Sequence, residues 1–130
     1  MATLRATVRI DRPADAVWAV VSDAGSISSW FTGITASRLE GAVRTIELGP
    51  GMELVEDVVT NDPDLRRFQY AITKAPFPID RHLGTVDVLD VDGSTLVVYS
   101  TEIAPDDLAA VMGPSVEGGL AGLKEFCEKQ

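Results

Sequence analysis

The sequence predicts an α+β fold in which a curved antiparallel sheet closes around a long C-terminal helix. Three observations carry that prediction. From Asp106 to Lys129, apolar side chains return at three- and four-residue steps (Leu108, Val111, Met112, Val116, Leu120, Leu123, Cys127), the period of one helix face. Before it, strand-like segments alternate polar and apolar residues between Gly, Pro, Asn and Asp turns. Gly118, Gly119 and Gly122 weaken the helix, so burial against the sheet must compensate. The order is one strand, two short helices, six strands and one long helix, β-α-α-β-β-β-β-β-β-α, with antiparallel strands in succession and helices at the ends.

Thr3 to Ile10 alternates cleanly and reads as a half-buried strand. Asp11 is placed to cap a helix from Pro13 to Ser22, with Ala16, Val17, Val20 and Val21 as its apolar stripe. After Asp23-Ala24-Gly25, Ser26 or Ser28 can cap a second short helix through Ile27, Trp30 and Phe31, whose aromatic pair packs under the sheet. Ile34–Glu40 and Val43–Leu48 flank a Gly41-Ala42 hairpin, and Gly49-Pro50-Gly51 leads into Met52–Thr60. The turn Asn61–Asp64 precedes the strand Arg66–Lys74, and two prolines stiffen Ala75–Pro78. Asp80–Leu89 and Ser94–Ile103 flank Asp92-Gly93, the strongest hairpin signal in the chain. Pro105 ends the last strand, Asp106 can cap the final helix, and Pro114 should kink or split it.

The 130 residues suit one domain, 1–130, able to bury about two-thirds of its unfolded surface. A net charge of −9 with scattered basic residues argues against nucleic acid and against anionic membrane surfaces. No apolar run approaches the roughly 20 residues of a membrane span, so membrane insertion is not expected. The alternation of Met1 to Ile10 lacks the apolar core of a signal peptide, which predicts a cytoplasmic protein. Cys127 alone forms no internal disulfide and reads as a small apolar residue.

Hairpin arithmetic places side chains together. The Gly49–Gly51 turn sets Ile46 opposite Leu54 and Arg44 opposite Glu56. If Thr60 pairs with Arg66, Glu56 faces Tyr70 and Val58 faces Phe68. The Asp92-Gly93 turn pairs Val86 with Tyr99 and His82 with Ile103. The face carrying Leu54, Val58, Phe68, Ile72, Val86, Val88, Val97 and Ile103 is apolar and therefore inner, and Arg44, Glu56, Tyr70 and His82 share it. Arg44 and Glu56 can form a silent ion pair or line a pocket and orient a ligand. Tyr70 and His82 can be satisfied interior groups or functional ones, and Tyr99 and Trp30 core residues or pocket walls.

Other chemistries lack support. There is no Gly-rich phosphate loop and no serine in a nucleophile elbow. One histidine without a cysteine cluster predicts no zinc or iron site, and no cofactor is expected. Asp62, Asp64, Asp90 and Asp92 resemble calcium-loop fragments but suit turns better.

The run from Val8-Arg9-Ile10-Asp11-Arg12-Pro13 through Val17-Trp18 to Asp23, continuing to Ile27 and Trp30, resembles the opening of START-like helix-grip proteins, the SRPBCC superfamily with its Bet v 1-like fold. It is most similar to their bacterial polyketide cyclase/dehydrase-like branch. Gly41 to Leu48 with Arg44, the Val55-Glu56 strand, Phe68-Gln69-Tyr70 followed by Phe77-Pro78, and Gly119-Leu120 to Leu123-Lys124 agree with that pattern. The resemblance covers nearly the whole chain. It implies a seven-stranded sheet around the terminal helix with an interior hydrophobic cavity. Members include cyclases, lipid and hormone carriers, stress-related proteins and co-chaperone domains, and fold does not choose among them. This chain departs in having His82 where an aromatic residue is frequent, and Asp57 after Glu56 where a basic one is frequent. A Rieske-type oxygenase domain is excluded as a complete enzyme for want of cluster ligands.

Three functions follow as expectations. The first is binding of a small aromatic or lipid-like molecule in the cavity by a monomer or homodimer, with Arg44, Glu56, Tyr70, His82, Tyr99 and Trp30 around it. The second is a cyclase or dehydratase with Glu56 or His82 as general base and Arg44 or Tyr70 polarising a carbonyl. The third is a co-chaperone-like or toxin-like interaction module using the acidic surface. No diagnostic motif decides whether the chain is an enzyme.

Overall fold

The computed structural model describes residues 1–130. Strand β1 spans Ala2–Ile10, helix α1 Ala14–Val21, and a 3-10 helix Ala24–Ser29. Then follow β2 (Ala36–Glu40), β3 (Val43–Glu47), β4 (Glu53–Asp62), β5 (Arg67–Lys74), β6 (Arg81–Val91) and β7 (Ser94–Ala104). A single 3-10 turn, Asp106–Leu108, leads into α2, Ala109–Glu128. The seven strands form one antiparallel sheet in the order β1-β7-β6-β5-β4-β3-β2, so the first strand closes against the last. This is the helix-grip architecture, a curved sheet holding the C-terminal helix.

Two hairpins pair as the turn residues dictate. Arg44 faces Glu56 and Ile46 faces Leu54 across β3 and β4. Val86 faces Tyr99 and His82 faces Ile103 across β6 and β7. There Asp92 (φ 53°) and Gly93 (φ 90°) both occupy the left-handed region, the geometry that matches the twist of the flanking strands. The β4–β5 hairpin differs from the expected register. Asp62 pairs with Arg67, Thr60 with Gln69, Val58 with Tyr70 and Glu56 with Ile72. The turn explains it: Asp62 Oδ1 accepts the N–H groups of Asp64 (2.9 Å) and Leu65 (3.1 Å), and Arg66 adopts φ 51°. The strands therefore pair closer to the tip than a Thr60–Arg66 closure allows. Register shifts beside Val55 and Val58 keep Glu56 and Tyr70 on the inner face, although they no longer stand opposite.

The expected caps form other bonds. Pro13 takes the N-cap position of α1, and the Asp11 N–H donates to Glu128 Oε2 (2.9 Å). Asp23, not Ser26 or Ser28, stands at the N-cap of the 3-10 helix. Asp106 pairs with the Met1 amine (2.8 Å) and does not cap, and Pro114 does not split α2.

The core joins α1 and the 3-10 helix (Val17, Trp18, Val21, Ile27) to the sheet (Phe68, Val86, Val88, Val97) and to Val116, Leu120, Leu123 and Cys127 of α2. Two helix glycines permit this approach. A Cβ on Gly119 would lie 2.5 Å from the Phe31 ring, and one on Gly122 would lie 2.1 Å from the Trp30 carbonyl oxygen. Gly118 meets nothing within 4 Å. The C-terminal end of α2 is also tied down. Arg12 donates to the Cys127 carbonyl (3.3 Å), satisfying a last-turn acceptor, and Lys124 donates to the Arg9 carbonyl (2.7 Å). The first turns differ: Val111 stays 64% exposed, so the apolar stripe is not sealed there.

Candidate functional site

Beneath those first turns lies a cavity of about 260 Å³. Ile46 of β3, Leu48 just after it and Leu54 of β4 form its floor, and Ile27, Phe31 and Ile34 form one wall. Val111, Met112 and Val116 of α2 roof it, with Phe77 from the proline connection at its rim. Its polar side chains are Glu56, Tyr70, His82, Tyr99, Thr101 and Ser115. Among the residues expected from sequence, Glu56, Tyr70, His82 and Tyr99 are thus brought together. Arg44 and Trp30 are buried but are not in the cavity wall.

Arg44 acts at one remove. Its Nε donates to Glu56 Oε1 (2.8 Å) and a terminal nitrogen to the Ala24 carbonyl (3.3 Å), with 1% of the residue exposed. The guanidinium carbon lies 5.2 Å from the Phe68 ring centre and 5.1 Å from that of Tyr70. Those π-faces accommodate the charge where the second terminal nitrogen finds no hydrogen-bond acceptor. Of the two alternatives for Arg44, the ion pair is the one that forms, and it fixes Glu56. Burial pushes the Glu56 carboxyl above the usual range, while the Arg44 charge and hydrogen bond oppose that shift. Oε1 is engaged by Arg44, and Oε2 has no donor from the protein.

Tyr70 crosses the sheet because β6 carries a glycine opposite it. A Cβ at Gly84 would fall 2.4 Å from the Tyr70 ring, so only glycine allows the ring to lie there. The Tyr70 hydroxyl thereby reaches that of Tyr99 and the two hydrogen-bond. Burial raises both, Tyr70 well above its ordinary value and Tyr99 to about 12, so both are neutral donors at physiological pH.

His82 occupies a seam. The β5–β6 ladder covers only Arg67–Tyr70, and beyond it the Ile72 N–H donates to His82 Nδ1 (3.1 Å) where a strand carbonyl would otherwise accept. Desolvation lowers the imidazole to about 4, so it is neutral, and an accepting Nδ1 leaves the proton on Nε2. The ring borders the cavity and also a polar groove on the outer face, where Arg5, Arg67 and Arg81 lie.

Thr101, 1% exposed, is the buried polar lining residue that sequence reasoning passed over, as it did the exposed Ser115. Its signal was present: β7 turns Val97, Tyr99, Thr101 and Ile103 inward at alternate positions. The aspartates that resemble calcium-loop fragments serve turns instead, Asp62 as above and Asp90 accepting the Gly93 N–H (3.2 Å).

Comparison with known proteins agrees with this architecture. A family model described as "Polyketide cyclase / dehydrase and lipid transport" matches residues 1–128. A Thermobifida fusca protein solved by NMR is 33% identical, with a TM-score of 0.85 over 99% of this chain and 95% of that one. The Zhui aromatase/cyclase from Streptomyces sp. R1128 shares 19% identity and a TM-score of 0.79, covering 98% of this chain and 94% of that one. A START superfamily protein from Mycobacterium smegmatis gives 13% and 0.83, over 98% and 97%. At those last two identities the likeness is one of fold. No protein of curated function matches the chain. No helix is long and apolar enough to cross a membrane.

Proposed function

The chain belongs to the polyketide cyclase/dehydrase and lipid transport family, and from that premise we propose that it binds a small hydrophobic molecule between α2 and the sheet. One observation carries the reading: side chains leave about 260 Å³ open in an otherwise packed interior, and the lining is mainly aliphatic and aromatic. The polar groups at its inner end orient the guest, and Arg44 supports them by holding Glu56. Native mass spectrometry of the purified protein, followed by titration with a naphthyl fluorescent dye, tests this. One dye per chain is expected, and Met112→Trp, which fills the cavity from its roof, should abolish binding. Dye that fails to bind, or that binds Met112→Trp equally well, refutes the proposal.

A second reading, cyclisation or dehydration of a carbonyl compound, has a specific support. Glu56 is the one carboxylate in the cavity wall, its Oε2 is unengaged by protein donors, and burial raises its proton affinity toward that of a usable acid or base. Glu56→Gln keeps the shape and the Arg44 contact. A cyclase reading predicts that turnover of a bound carbonyl compound falls at least about 100-fold with binding retained. Unchanged turnover eliminates it.

A further inference from the structure

The unpaired polar hydrogens around the cavity describe a ligand. β7 turns two buried threonines inward, and they differ in one respect. Thr95 Oγ1 donates to the Arg12 carbonyl at 2.7 Å, whereas Thr101 Oγ1 has no partner at all. A buried hydroxyl without a partner is unusual enough to require an explanation. Thr101 stands in the cavity wall, paired across the sheet with Gly84, the position that seats the Tyr70 ring. Rotation about its χ1 exchanges hydroxyl and methyl in that wall.

The neighbours add to the surplus. The two tyrosine hydroxyls carry two protons but share one hydrogen bond, so one proton has no acceptor within the pair. His82 accepts at Nδ1 and so bears a proton at Nε2, again without a protein acceptor. Thr101, the tyrosine pair and His82 thus bring three donor-bearing side chains to the cavity lining, with the His82 ring shared between the cavity and the outer groove. No free cation joins them, because the only buried guanidinium is engaged by Glu56 and lies behind the wall. An anion placed there would be desolvated without a counter-charge and beside a carboxylate. A neutral acceptor oxygen suits the site. Size sets a second limit, since a cavity of about 150 Å³ holds benzene and this one is less than twice as large.

We infer that Thr101, with His82 and the Tyr70–Tyr99 pair, forms a carbonyl seat that selects a neutral one- or two-ring aromatic compound bearing a single ketone- or aldehyde-type oxygen. A long poly-keto chain and a two-chain lipid both exceed the space. The inference rests on the cavity-binding reading and narrows it.

Three probes of matched size test it: 2-acetylnaphthalene, 2-isopropylnaphthalene and 2-naphthoate, each displacing the naphthyl dye from the full chain. The ketone should bind at least about 10-fold more tightly than the other two. Thr101→Val keeps the shape and should weaken the ketone about 3- to 10-fold, the value of one neutral hydrogen bond, without changing the hydrocarbon. Thr101→Ser should restore the preference. Equal affinity of wild type for ketone and hydrocarbon, or a preference untouched by Thr101→Val, overturns the carbonyl seat while leaving cavity binding intact. Tightest binding of naphthoate overturns the neutral-ligand assignment. Failure of every probe and the dye to bind overturns both readings.

Discussion

At Gly119 and Gly122, α2 is fitted to its neighbours with no room for a methyl group, whereas its first two turns stand over open volume. The same apolar period runs through both halves. At the closed end Phe31 and the Trp30 backbone press on Gly119 and Gly122, and Arg12 and Lys124 tie the last turns to the chain near β1. At the open end the side chains that should be buried, Val111 and Met112, roof the cavity, and the adjoining turn is held by an exposed ion pair between Met1 and Asp106. An exposed pair of that kind contributes little. Stability and vacancy are therefore divided along one helix. A helix can hold a cavity open at one end because the other end is anchored independently.

The contrast can be broken or sharpened by substitution. The largest effect should come from the cavity wall: Glu56→Ala leaves Arg44 charged and unpaired inside the sheet and should lower stability by about 3–5 kcal/mol in urea unfolding. Next is Gly122→Ala at the closed end. The new methyl meets backbone, which cannot swing aside, so a loss of about 1–3 kcal/mol is expected with dye binding retained.

The third effect lies at the open end and depends on pH. Folded His82 protonates only near pH 4, while the unfolded chain protonates it near 6.5. Its contribution is complete above pH 6.5 and is lost as pH falls through 4. Partial exposure screens the effect to about 1–2 kcal/mol. His82→Phe should therefore lose less stability than wild type between pH 6.5 and 4. The raised Glu56 works in the opposite sense but is common to both proteins, so it cancels in the comparison. Identical acid limbs would show that His82 is not buried as described.

The smallest effect is a gain. Gly118→Ala adds a methyl into open space on a helix and should stabilise by about 1 kcal/mol, measured as a raised urea midpoint, without altering dye affinity.

The fold was legible because turns of two or three residues leave little freedom: Gly49–Gly51 and Asp92-Gly93 each determine a register, and Arg44–Glu56 and Val86–Tyr99 follow by counting. The β4–β5 register was not, because an Asx turn and two ladder shifts carry no pattern that periodicity detects. Within the site, inward alternation found Glu56, Tyr70, His82 and Tyr99. It could not separate Arg44, which faces inward yet stands behind Glu56, from residues that border space. Trp30 was legible as large and buried but not as lying outside the cavity wall. Thr101 escaped because a threonine on an inner face is ordinarily satisfied, as Thr95 is by the Arg12 carbonyl, and the alternation is the same for both.

The imidazole that replaces a strand carbonyl has a spectroscopic consequence. An amide bonded to a backbone oxygen keeps its acceptor at every pH, but the Ile72 amide is held by a titratable nitrogen. When Nδ1 takes up a proton it repels that N–H, and the seam loses its only tie at this level. The Ile72 resonance is accordingly a built-in gauge of the seam: one cross-peak within a β-strand whose chemical shift and solvent exchange follow the ionisation of a side chain two residues beyond the Tyr70–Gly84 pair that ends the ladder.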